Sequence, residues 1–317
     1  MHPRLRISPW NAVRPTVSGI WLNCLRFQSH VQELVYIAYM AGMGNLAGRV
    51  AAVTGGGSGF GAAMAREFAG AGMSVAVLDI DEERAGAVAE SLGDRTMSMK
   101  IDIADSASVA SAAAAVEDRF GACHLVCANV GVQQFGSVER VTEAEWRWVF
   151  EVNVLGTVRT VQTFLPLVRA SDGWRQIAIT ASSGVFNPGV RVGAYAASKS
   201  AVMCLGETLR LELADEGIGV TVLFPAGMTS RHLESSAAAR PPSIGEAVVL
   251  PDDIDAMMRS RNMDAATHVT SPERAARNVL TDLLANEPFH LTHGSYRAEY
   301  EARLARIGGA FDRMERS

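Results

Sequence analysis

The chain has 317 residues, 48% hydrophobic and 20% charged, which is enough apolar material to bury a full globular core. Its net charge of −5, with no basic stripe, argues against nucleic acid or a membrane as partner. Four cysteines, Cys24, Cys123, Cys127 and Cys204, show neither a disulfide framework nor zinc spacing, so they read as reduced thiols of a cytoplasmic protein.

Residues 1–42 fit no element. They carry Arg4, Arg6, Arg14 and Arg26, with no acid before Glu33, and precede a natural-looking start at Met43. A secretory signal needs a longer apolar core than 18–25 offers, and 31–40 is too short to span a membrane. The segment is read as an N-terminal extension, either a disordered arm or a mis-assigned start; a transit peptide also fits its composition. Residues 43–317 are read as one catalytic domain.

The first strong strand signal is 49–54, followed by the turn Gly55-Gly56-Gly57-Ser58-Gly59-Phe60-Gly61 and an alanine-rich helical pattern over 62–69. Strand, glycine turn and helix is the order in which backbone N–H groups at a helix N-terminus face a pyrophosphate. Gly55 lets the chain turn, Gly59 lets it approach the phosphates, and Gly61 lets the helix pack on the sheet. The next strand, 74–79, ends in Asp79, 18 residues after Gly61, where a dinucleotide fold places its ribose carboxylate. A carboxylate there accepts hydrogen bonds from a 2′-hydroxyl and repels a 2′-phosphate. Ser58 and Ile80 stand where a phosphate-binding cation would, so NAD is expected over NADP.

Further strand signals lie at 96–101, 124–128, 176–181 and 219–224, with a seventh near 289–292, and long helical runs cover 143–168 and 195–215. The alternation predicts an α/β fold with a parallel sheet and helices on both faces. Trp146 and Trp148, on the first long run, are read as core or interface packing. Tyr195 and Lys199 stand four residues apart, which puts phenol and ammonium on one helical face. A buried ammonium beside a phenol lowers the phenol's pKa, so that it can exchange a proton with a carbonyl or alcohol oxygen. Residues 226–270 show no clean period. His232 within them is read as a bystander that could touch a substrate. His290 and His293, with Glu287 nearby, are not read as a metal site, because their odd spacing on a strand sends them to opposite faces.

Thr54-Gly55-x-x-x-Gly59-x-Gly61, Asn153, Ser182 and Tyr195-x-x-x-Lys199, in that order, resemble the short-chain dehydrogenase/reductase family in its simple form, from about Leu46 to near the C-terminus. The resemblance implies a Rossmann-like doubly wound sheet of about seven strands. It implies Tyr195 as acid/base, Lys199 as the residue that lowers its pKa and holds the nicotinamide ribose, and Ser182 as the hydrogen-bond partner of the substrate oxygen, with Ser183 the runner-up. Asn153 matches the asparagine that holds a relay water beside the lysine, and Asp102 the strand-end acid near the adenine. Cofactor contacts are implied at Gly55, Ser58, Gly59, Phe60, Gly61, Asp79, Asp102, Ile103, Asn129, Tyr195, Lys199, Pro225 and Met228. The segment 226–270 matches the substrate lid, and the two long helices those that form a homodimer or homotetramer.

Three motifs depart from the family pattern. The usual N-N-A-G is Ala128-Asn129-Val130-Gly131, the usual Pro-Gly is Pro225-Ala226 with Ser230 for the following threonine, and Phe60 replaces a small aliphatic residue. The expected activity is NAD(H)-dependent interconversion of a secondary alcohol and a ketone. Gln133, Gln134, Phe186, Asn187 and the lid suggest a mixed, mainly apolar pocket with no site for a phosphate or thioester carrier. The alternative is an NAD-binding sensor or scaffold without turnover. An epimerase or dehydratase reading needs Gly-x-x-Gly-x-x-Gly, and Ser58 occupies its middle place.

Overall fold

Short, fully buried strands set the architecture of this computed structural model, which describes residues 46–246 and 248–316. The N-terminal extension read over 1–42, Cys24 and the start at Met43 lie outside the described residues. In chain order the strands are β1 (Val50–Thr54), β2 (Ser74–Asp79), β3 (Thr96–Lys100), β4 (Leu125–Ala128), β5 (Gln176–Thr180), β6 (Gly219–Phe224), β7 (Gly227–Met228), β8 (Val269–Thr270) and β9 (Phe289–Leu291). Seven of them form one sheet, ordered β3-β2-β1-β4-β5-β6-β9, with every pair parallel. β1, β4, β5 and β6 are buried at every residue, the pattern of strands covered on both faces. All seven sequence-predicted strands are present, and the fold is the expected Rossmann-like one.

The crossover helices are α1 (Gly59–Gly70), α2 (Glu82–Leu92), α3 (Ser106–Phe120), α4 (Glu143–Phe150), α5 (Gly156–Ala170) and α6 (Gly193–Glu212). Local chemistry fixes their starts. Asp81 and Asp105 accept from the Arg84 and Ala107 N–H groups, and Thr142 and Glu145 form a reciprocal capping box. The predicted run over 143–168 is not one α-helix. A π-turn, Glu151–Leu155, joins α4 to α5 and contains Asn153. Trp148 enters the core, and Trp146 stacks on Phe150 at 6.2 Å between ring centroids.

The strand order reverses between β1 and β4, and in such sheets a crevice opens there beyond the strand C-termini. The stretch 226–270, which has no period in the sequence, holds α7 (His232–Ala238), α8 (Pro251–Ser260) and α9 (Ala265–His268). Tertiary pairs hold these short pieces. The Arg240 guanidinium meets the buried Glu145 carboxylate at 2.6 Å and lies over the Trp148 ring, while Arg140 pairs with the buried Asp253. β7 and β8 pair with each other, and His293 Nε2 lies 2.8 Å from the Gly227 carbonyl. After α10 (Pro272–Ala276) and α11 (Val279–Leu284), the chain forms β9 and ends in α12 (Arg297–Glu315). His290 is buried against the Asp282 carboxylate at 2.6 Å, so its partner is this acid rather than Glu287.

Candidate active site

The turn after β1 is shaped by two left-handed glycines, Gly55 (φ +66°) and Gly59 (φ +52°). A β-carbon on Gly61 would stand 2.1 Å from the Gly55 carbonyl oxygen, so Gly61 seats α1 directly on the turn. That is a packing role. Gly61 does not line the cavity, unlike Gly55, Ser58, Gly59 and Phe60. The first turn of α1 carries no acid, and Ser58 makes no side-chain cap, which leaves N–H groups free for an anion.

Asp79 is held by the same turn. Its Oδ2 accepts from the Gly57 N–H at 2.9 Å and its Oδ1 from the Asp81 N–H at 3.1 Å. It stays half-buried at the cavity edge beside Ile80, with Asp102 and Ile103 further along the wall. Arg84, the nearest cation in sequence, is engaged by Asp81 at 2.7 Å. Asn129 is a staple as well as a wall residue. Its N–H donates to Thr54 Oγ1, its amide donates to the Thr54 carbonyl, and Thr180 Oγ1 donates to its Oδ1, tying the ends of β1, β4 and β5.

The cavity, of about 920 Å³, runs from Asp79 past this staple to Tyr195 and Lys199, with Pro225 and Met228 on its β6 side. The Tyr195 phenol stands beside Ser182, whose hydroxyl favours the phenolate, and Ser182 Oγ accepts from the Gly184 N–H at 3.1 Å. Of the two serines left open by the sequence, Ser182 meets the phenol, while Ser183 faces Arg261 at 3.5 Å. Lys199 Nζ donates to the Thr180 carbonyl at 2.8 Å and lies 6.0 Å from the Tyr195 ring centroid. Gly131 makes room for it, since a β-carbon there would come within 2.8 Å of Nζ.

Asn153 lies behind the cavity rather than in it. Its Oδ1 accepts from the Val132 N–H at 2.7 Å, and its Nδ2 donates to the Val132 carbonyl and to Ser198 Oγ, each at 2.9 Å. Ser198 in turn donates to the Tyr195 carbonyl. With the amide so engaged, Asn153 ties the loop after β4 to α6.

The electrostatics also depart from expectation. Burial raises the Tyr195 phenol above its ordinary pKa, against the opposing effects of the Ser182 hydrogen bond and the Arg261 charge. Burial lowers Lys199 to about 8. Desolvation therefore outweighs the effects of Ser182 and Arg261 that favour the phenolate.

His232, at the start of α7, presents its ring 6.2 Å from that of Tyr195. Its Nε2 is buried with no hydrogen-bond partner, and burial, with help from Lys199, lowers its pKa to about 4. The folded value lies below the ordinary 6.5, so the stability linked to this group is complete above 6.5 and is lost as pH falls towards 4. His232→Asn is expected to flatten the fall in melting temperature across that window. An unchanged slope would show that the ring is solvated.

Sequence reasoning also missed Arg261. It sits at the C-terminal end of α8, where a cation reads only as a complement to the helix dipole. The residue is buried in the cavity wall, 9% exposed.

The fold and this crevice define a dinucleotide-binding α/β protein. A sequence model described as short chain dehydrogenase matches residues 49–241, and the chain belongs to the short-chain dehydrogenase/reductase family of nicotinamide-dependent oxidoreductases. It is 31% identical over 272 residues to a C alpha-dehydrogenase of Sphingobium sp., covering 84% of this chain and 88% of that protein. A 2,5-dichloro-2,5-cyclohexadiene-1,4-diol dehydrogenase of Sphingobium indicum is 33% identical, with 58% and 75% covered. Among solved structures, a short chain dehydrogenase/reductase from Burkholderia phymatum in complex with NAD matches with a TM-score of 0.76 and 29% identity, over 84% of this chain and 96% of that one. Among the described residues, no helix is long and apolar enough to cross a membrane.

The site's own features fit a nicotinamide dinucleotide. The uncapped start of α1 suits its phosphates. At Gly57 a β-carbon would stand 3.0 Å from the Asp79 carboxyl, so the cradle is formed by bare backbone beside an acid suited to a ribose.

Proposed function

We propose that the protein interconverts a secondary alcohol and a ketone with NAD(H), Tyr195 acting as acid/base. The observation that carries this reading is one cavity wall that brings Ser182, the Tyr195 phenol and Lys199 together. In oxidation, the bound cofactor supplies a hydride acceptor. The alcohol oxygen sits between the Ser182 hydroxyl and the Tyr195 phenolate, and its proton passes to that phenolate oxygen as the carbon gives up hydride with its electron pair. Lys199 holds a positive charge near that oxygen while the proton is in transit, and Asn153, through Ser198, keeps the tyrosine's helix turn in register. Leu155 and Leu211, both exposed on the long helices, suit the homo-oligomeric packing that we infer for the protein. Turnover of a secondary alcohol or ketone panel, followed by the near-ultraviolet absorbance of reduced nicotinamide, tests the reaction; NAD binding with no turnover across the panel would favour the sensor reading.

NAD over NADP rests on Asp79. A phosphate roughly 4 Å from its carboxylate is repelled by about 4 kcal/mol per charge pair at an effective dielectric near 20, before screening. Even about a quarter of that discriminates several-fold. Asp79→Ser is therefore expected to shift the NAD/NADP ratio of kcat/KM by about tenfold or more towards NADP. A wild type that prefers NADP, or a variant with an unmoved ratio, refutes the assignment.

A further inference from the structure

Arg261 is a cation that the proposed reaction does not use, and its surroundings leave it short of acceptors. Its Nε donates to the Asn187 carbonyl at 2.9 Å, and the Asn187 amide returns a bond to the Arg261 carbonyl, which fixes the base of the fork. The two Nη atoms fare worse. One lies 3.5 Å from Ser183 Oγ, the outer limit of a hydrogen bond, and the other 3.8 Å from the Met257 sulfur, a weak acceptor. The Tyr296 ring lies below the guanidinium, 5.8 Å away. Among the described residues, no carboxylate makes an ion pair with it, whereas the cavity's other arginines are engaged: Arg147 by Glu143 and Arg231 by Glu234.

A guanidinium withdrawn from water without a counter-charge is destabilising, and an anionic ligand is the compensation that such a site accepts best. The fork is planar and stands alone, so it matches one carboxylate bidentately rather than a phosphate, which calls for several donors. Its place fixes where that carboxylate would lie. Ser183, which it touches, adjoins Ser182, and Ser182 and Tyr195 line the same cavity as Arg261. The wall on this side is otherwise apolar, with Ile254, Met257 and Met263.

We propose that Arg261 is a specificity-determining residue that binds a substrate carboxylate, so that the substrate is a hydroxy acid or its oxo acid with the carboxylate a few bonds from the reacting carbon. This rests on the alcohol–ketone reading above, and it gives the mainly apolar pocket expected from the sequence one charged anchor.

The test uses the full chain saturated with NAD. Calorimetric binding of phenylacetate is compared with that of the isosteric, neutral phenylacetamide. Neither can be oxidised at a carbinol, so the result stands whether or not turnover is found. Mandelate and mandelamide are then compared as substrates. Wild type is expected to favour the acid by about 30-fold or more in both comparisons, Arg261→Met to remove that preference, and Arg261→Lys to restore part of it. A residue that merely braced the lid, or merely tuned Tyr195, would weaken acid and amide alike and leave the ratio unmoved. Equal affinities in wild type, no binding of either compound, or a ratio retained in Arg261→Met overturns the proposal. Should Arg261→Met fail to fold, the wild-type comparison decides. Acid-selective binding without turnover of mandelate would leave the carboxylate site standing and count against the alcohol–ketone reading.

Discussion

Tyr195→Phe is expected to lower kcat by about 10³-fold or more while NAD still binds. General acid–base transfer by a positioned side chain contributes roughly 10²- to 10⁴-fold, and of the two hydroxyls meeting the reacting oxygen only the phenol has Lys199 on its own helical face. Serine at position 182 polarises but is a far weaker acid. The ring itself packs beside His232, and phenylalanine preserves that contact. Only the phenol oxygen beside Ser182 is lost, a change of about 1 kcal/mol or less in stability. The variant should therefore melt near wild type, which separates loss of chemistry from loss of fold. Lys199→Ala should fall in the same direction and also weaken cofactor binding. Turnover of Tyr195→Phe within tenfold of wild type, measured with saturating NAD, would remove Tyr195 from its role.

Gly61→Ala is expected to damage fold and cofactor site together. The added methyl would meet the Gly55 carbonyl oxygen at 2.1 Å and the Asn129 amide at 2.7 Å. A backbone oxygen inside a tight turn cannot rotate away, so α1 must lift from the sheet or the turn must open. Overpacking of this kind costs about 1–3 kcal/mol or more, which lowers the melting temperature by roughly 2–5 °C in a chain of this size. Either movement also spoils the N–H cradle, and NAD affinity should fall about tenfold or more. Gly70→Ala, at the other end of the same helix, is the control, because a β-carbon there meets nothing within 4 Å. If Gly61→Ala melts with wild type and holds NAD as well, the turn is looser than described.

Much of this architecture was legible because its signals are local. Buried strands announce themselves as short apolar runs, and Gly55–Gly61 and Asp79 carry their meaning in spacing alone. Ser182 and Ser183 could not be separated from sequence, because adjacent hydroxyls differ only in which way the strand end turns them. Asn153 was found by position, but its hydrogen bonds were not, since its partners Val132 and Ser198 come from two other segments. The stretch 226–270 was the least readable part. Its helices are short, and α8 gains its start from Asp253, which accepts from the Leu250 N–H and pairs with Arg140 from far along the chain. Arg261 is invisible for the same reason. What distinguishes it is the acceptors it lacks, and sequence spacing carries no record of those.

The π-turn at Glu151–Leu155 has a consequence for how the chain can change length. Buried pairs recur at Trp148/Val149, Val152/Asn153, Gly156/Thr157 and Thr160/Val161, a beat of four residues. An α-helix turns about 100° per residue, so a beat of four slips by about 40° each cycle and would soon carry those residues around the rod. The wide turn takes up that slip, as a leap day holds a calendar to its seasons. Removing one residue from it would swing the two halves by about 100° relative to each other. Either Asn153 would leave Val132 or Phe164 would leave the core, so the helix is free to drift in composition but locked in count.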